Sequence, residues 1–207
     1  MLPIISTGTM VVGVYMNTLL TYMLKDDDMF NIPEKEIGTV SSNLVVYSIP
    51  VTMVTLFFVS YAFEILGRKY TLFLSFFITS IFYFFLPRTS PSYSYLMFVR
   101  CLIAFSMAAP ISHPLIADYI HRDSRGKAVA LMGVGTVCGE IIGMCIFKLN
   151  TTLNMDFYQS FTCTSILIMF FSFYCAWAVK DPDLKRLHRN LKDGNNPESS
   201  FENMTLV

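Results

Sequence analysis

The chain has 207 residues, 54% hydrophobic and 14% charged, with Lys+Arg 15 and Asp+Glu 15 and hence no net charge. An average soluble domain carries roughly 25% charged residues. The composition excludes a disordered chain, which needs low hydrophobicity and high net charge, and a nucleic-acid binder, which needs a basic excess. Five cysteines in 207 residues are too sparse for a small disulfide scaffold. In chain order, residues 1–24, 37–63, 70–87 and 157–179 contain no Asp, Glu, Lys or Arg. About 20 helical residues cross the hydrocarbon core of a bilayer. Residues 93–116 and 128–147 reach that length with one charge each, Arg100 and Glu140. These runs predict an all-α integral membrane domain over 1–180, with six spans at about 2–24, 37–63, 70–87, 93–116, 127–148 and 157–179. A polar tail follows over 181–207, expected to be disordered beyond about residue 193. The first run lacks a basic leader and is long for a signal peptide.

Six spans put both ends on one side. That side collects ten Lys/Arg: Arg68, Lys69, Arg122, Arg125, Lys127, Lys180, Lys185, Arg186, Arg189 and Lys192. The other collects four: Lys25, Lys35, Arg88 and Lys148. Basic loops mark the cytoplasmic face, so both termini and the tail are expected there. The acidic loop 25–36 would face outside or into a lumen.

The spans differ in character. The third and sixth hold eight aromatic residues each, which suits a lipid-facing periphery. The fifth holds Gly135, Gly139 and Gly143 at i, i+4, i+8, one smooth face that lets another helix backbone approach. The first carries Thr7, Thr9, Asn17, Thr18 and Thr21, which either line a polar path or bond to neighbouring helices.

Arg100 and Glu140 are the most informative residues, because an ionisable group near mid-bilayer costs roughly 2.5–3.5 kcal/mol. Arg100 precedes Asp118 by 18 residues and Glu140 follows Gly126 by 14. At 1.5 Å per residue these are about 27 and 21 Å from the same face. Spans four and five are consecutive, so the two charges are expected to share a cavity and to pair directly or through water. Such a pair could bind a polar solute or carry a proton. The alternatives are snorkelling of Arg100 to the interface and a helix–helix tie for Glu140. Asn150-Thr-Thr is a glycosylation sequon on the expected outer side; Asn203-Met-Thr is a second, on the cytoplasmic side.

Two loops carry a resemblance. Between spans two and three stands Ser60-Tyr-Ala-Phe-Glu64-Ile-Leu-Gly67-Arg68-Lys69; Asp118 and Arg125-Gly126 flank the loop between spans four and five. Together they resemble the major facilitator superfamily, whose first such loop reads Gly-x-x-x-Asp-Arg-x-Gly-Arg-Arg/Lys. Glu64 stands at the acidic position and Gly67, Arg68 and Lys69 match, while Ser60 and Ile65 replace the first Gly and Arg. Arg100 matches an Arg common early in span four. The resemblance implies one six-helix half of that fold. It implies a secondary, alternating-access carrier of a small solute, a symporter or uniporter, with protons as the candidate coupling ion. Glu64, Gly67, Arg68, Lys69, Asp118, Arg125 and Gly126 would form a cytoplasmic gate. Asn17 in span one, with Arg100 and Glu140, would line the solute path. Gly139-Glu140 replaces the Gly-Pro common in antiporters. Facilitators have two six-helix halves, so the chain is expected to be half-length or truncated and to meet a second half or a second copy, with the glycine face of the fifth span shaped to meet it. The alternative is a non-transporting membrane subunit or scaffold that keeps the fold. No metal, cofactor or catalytic set is visible: no zinc spacing, phosphate loop or Gly-x-Ser-x-Gly nucleophile. The chain reads as no enzyme.

Overall fold

A computed structural model describes residues 2–111 and 124–179. Among them the chain forms α1 (Leu2–Lys25), α2 (Glu34–Ile65), α3 (Gly67–Phe85), a 3-10 turn (Leu86–Thr89), α4 (Tyr93–Ile111), α5 (Arg125–Thr152) and α6 (Phe157–Ala178). All six α-helices are long and apolar enough to cross a membrane. The tail, Asp118, the end of span four and the Asn203 sequon lie outside the described residues.

Local chemistry sets the helix ends. α2 starts after Pro33, with Glu34 and Glu36 in its first turn, where carboxylates oppose the positive end of the helix dipole. It is therefore longer than the apolar run 37–63. Gly67 takes φ +83°, a left-handed conformation that lets α2 reverse directly into α3. Pro87 falls in the 3-10 turn, so α3 stops at Phe85 rather than at 87. α5 runs one turn past Lys148, which places the Asn150 sequon inside a helix rather than in a loop.

The helices pack in defined pairs. α1 lies on α5, α3 on α6, and α4 on α2 and α3, with a smaller contact from α4 to α1. Among the described residues α4 and α5 do not form the expected close pair. The glycine face of α5 explains the first pair. A Cβ at Gly135 would stand 2.4 Å from the Pro3 carbonyl oxygen, and one at Gly139 would stand 2.5 Å from that of Thr7. The Thr7 hydroxyl donates to the Gly135 carbonyl at 2.9 Å across this contact. The ascending order Pro3–Gly135, Thr7–Gly139, Val11–Gly143 shows α1 and α5 running parallel. The glycines thus meet α1 within the same bundle. They are not an open face awaiting a second half.

The α3–α6 interface corrects a second expectation. Its aromatics are not confined to a lipid-facing periphery. Phe76, Tyr83 and Phe161 are fully buried. Phe76 meets Phe171 edge-on with centroids 5.0 Å apart, and Tyr83 lies 5.9 Å from Phe161. Hydroxyls add directional ties. Ser80 donates to the Ser165 carbonyl at 2.8 Å and Ser165 returns a bond to that of Ser80 at 2.7 Å. Ser172 donates to the Phe73 carbonyl at 2.8 Å. α4 is tied similarly, by Thr79 and Ser106 at 2.7 Å. Interhelical bonds of this kind average about 0.6 kcal/mol in membrane proteins. Here they mainly fix register, and thereby the height at which α4 presents Arg100 to α1.

Candidate functional site

Arg100 sits seven residues into α4 with 8% of its surface exposed, too buried to be snorkelling to an interface. Its Nη2 donates to Asn17 Oδ1 at 3.1 Å and its Nη1 to the sulfur of Met16 at 3.4 Å, both on α1. Its Nε has no partner. Tyr83 of α3 is its electrostatic neighbour, and the Tyr83 hydroxyl is fixed by donating to the Val12 carbonyl of α1. The guanidinium is thus held where α1, α3 and α4 converge. The resemblance set Arg100 and Asn17 along one path but not as bonded partners; Met16 and Tyr83 carried no signal of their own.

Glu140 is elsewhere. It is exposed on α5, one residue past the glycine that meets Thr7. On the scale of α1, Glu140 is level with about Gly8 and Arg100 with Met16 and Asn17. Eight or nine residues separate those levels, about 13 Å at 1.5 Å per residue. The expected Arg100–Glu140 pair does not form. Counting depth from the loops assumed that α4 and α5 start from one plane and lie side by side, and α4 packs instead on α2 and α3.

Asn17 is exposed, and so is Thr21 one turn further on. One turn before it, a Cβ at Gly13 would have nothing within 4 Å. Gly13, Asn17 and Thr21 therefore form an uncovered face of α1, and Arg100 reaches its middle. The remaining α1 threonines satisfy themselves. Thr9, Thr18 and Thr21 each donate to the carbonyl four residues back, at 2.8, 2.9 and 2.9 Å.

At the other end of α1 and α3 lie the motif residues. Glu64 is exposed on the last turn of α2. Arg68 donates to the Phe63 carbonyl at 2.9 Å and so caps a free acceptor at the end of α2. Gly67, Arg68 and Lys69 open α3, and Arg125 and Gly126 open α5. Their expected partner Asp118 lies outside the described residues.

Asn150 is buried, and its side-chain nitrogen donates to the Tyr15 hydroxyl, itself fully buried and 3.4 Å from the Ser160 carbonyl. The sequon asparagine is thus a tie between α1 and α5, not an accessible acceptor for a sugar.

Six membrane-crossing helices, a left-handed Gly at the α2–α3 reversal and a buried arginine facing an open helix flank define a multi-pass integral membrane protein of transporter type. The family model of the Major Facilitator Superfamily matches residues 4–204. The chain belongs to that superfamily, whose members carry small solutes across membranes. No curated protein and no solved structure matches the chain.

Proposed function

We propose that this six-helix domain is one half of a secondary carrier that moves a small solute by alternating access, with its solute path along the Gly13–Asn17–Thr21 flank of α1. The observation that carries this reading is the buried guanidinium of Arg100, bonded to the exposed Asn17 on a flank that no described helix covers. A charge buried near a membrane's interior is costly, so a residue that carries one marks a functional site by default.

A second six-helix unit, or a second copy, completes the carrier in this reading. Only 22% of the most apolar stretch of α2 and of α5 is buried, against 44%, 50% and 56% for the stretches of α1, α3 and α4. Glu140 stands on the uncovered side of α5, where a carboxylate would meet a second protein surface or a water-filled path rather than lipid. It is also the group available for a coupled proton. In this reading the charge bias favours cytoplasmic termini, and Glu64, Gly67, Arg68, Lys69, Asp118, Arg125 and Gly126 act as the cytoplasmic gate.

Proteoliposome uptake tests the reading, with a labelled panel of sugars, amino acids, organic acids and organic cations. At least one class should accumulate, and Arg100→Gln should abolish it. A folded preparation that carries none of the four would favour a membrane scaffold.

A further inference from the structure

Resting on that transport reading, we infer that the Arg100–Asn17 pair recognises a carboxylate on the transported solute. The argument begins with a count of donors. A guanidinium offers five N–H groups and carries a full positive charge. Here Nη1 is spent on a thioether sulfur, a weak acceptor, and Nη2 on a neutral amide oxygen. Nε is buried and unpartnered. Among the described residues no carboxylate balances the charge: Glu140, the one acidic residue within the apolar core of the described helices, is about 13 Å away along α1.

Such an arrangement is incomplete without an anion. Burying a charge with only neutral partners leaves its desolvation uncompensated. A carboxylate supplies both missing items, because its two oxygens match two parallel N–H donors on one edge of the guanidinium. Nε–H and one Nη2–H share such an edge. The access side is also defined. Met16 is 3% exposed and closes the inner side, whereas Asn17 is exposed and is the partner an incoming ligand meets first. Gly13 leaves room beside it, since nothing lies within 4 Å of where its Cβ would be. One guanidinium balances one negative charge, so a monoanionic organic acid fits better than a dianion.

The test is thermal unfolding of the purified full chain in detergent, followed by circular dichroism. Sodium benzoate is the probe, benzamide its neutral isostere, and sodium chloride the ionic-strength control. Benzoate should raise Tm, and benzamide and chloride should not. Arg100→Gln should demand about tenfold to hundredfold more benzoate for the same shift, as expected when a charged hydrogen bond is lost. Asn17→Asp places a carboxylate on the guanidinium from within and, at an exposed position, should fold. It should raise Tm without ligand and erase the benzoate response. Equal shifts from benzoate and benzamide, or an undiminished benzoate response in Asn17→Asp, would overturn the proposal. Uptake separates this inference from the transport reading. A benzoate shift without uptake of any solute leaves the anion site and removes transport. Uptake of neutral solutes without a benzoate shift does the reverse.

Discussion

Replacing the α5 glycines with alanine gives the sharpest test of how the bundle is held together. At Gly139 the new methyl would stand 2.5 Å from the Thr7 carbonyl oxygen and 2.8 Å from Met10 Cβ. Reaching ordinary contact at 3.4 Å moves α5 outward by about 0.9 Å, and backbone oxygen cannot swing aside as a side chain can. The same movement stretches the Thr7–Gly135 bond from 2.9 Å to beyond hydrogen-bonding reach. Overpacking costs about 1–3 kcal/mol, and the lost interhelical bond about 0.6 kcal/mol. Alanine's better helix propensity returns about 0.8–1 kcal/mol. Gly139→Ala should therefore destabilise by about 1–3 kcal/mol, and Gly135→Ala, 2.4 Å from the Pro3 oxygen, by at least as much. Gly143→Ala is the internal control. Its methyl meets Val11 oxygen and Val14 Cβ at 3.5 Å, an ordinary contact, so it should be neutral or slightly stabilising. Reversible unfolding in mixed micelles of increasing SDS fraction measures the difference. About 2 kcal/mol between the 139 and 143 variants is roughly thirtyfold in the folding equilibrium. Equal stabilities, or Gly143→Ala the weaker, would refute the parallel α1–α5 contact.

Three further outcomes follow from the same geometry. Asn150 should carry no sugar, so treatment with a glycosidase should leave gel mobility unchanged, and Asn150→Ala should cost about 1 kcal/mol by removing the amide's bond to the Tyr15 hydroxyl. Because that bond is shared, Tyr15→Phe should add little to Asn150→Ala in a double-mutant cycle. Ser80→Ala and Ser165→Ala should each cost about 0.6 kcal/mol and add in the double variant, since each removes one hydroxyl bond to a backbone carbonyl that alanine retains; no loss from either in SDS unfolding would contradict that pairing. Gly67→Ala should cost about 1–2 kcal/mol because it forces a Cβ into φ +83°, while Gly38→Ala, with nothing within 4 Å, should not destabilise.

The helices were legible in the sequence because an apolar run of bilayer length is a one-dimensional signal, fixed by the energy of burying backbone in hydrocarbon. Neighbourhood is not one-dimensional. The spacing of Gly135, Gly139 and Gly143 announces a close approach but cannot say that α1, rather than a second half, makes it. Aromatic content likewise says that α3 and α6 are bulky, and not that Phe76 and Phe171 point at each other. Arg100 and Glu140 show the failure most clearly. Opposite charges inside a membrane are expected to meet, and a depth count from the loops made the pairing plausible. Depth along two helices fixes separation only if those helices are neighbours with a common origin, and α4 and α5 are not. The observed separation then has its own consequence. Arg100 is buried among neutral acceptors, and Glu140 is exposed on a helix whose most apolar stretch is only 22% buried. Neither charge is balanced by the six helices themselves. The proposals of an anionic solute at Arg100 and a second unit against α5 are the two complements that this imbalance demands, one for each charge.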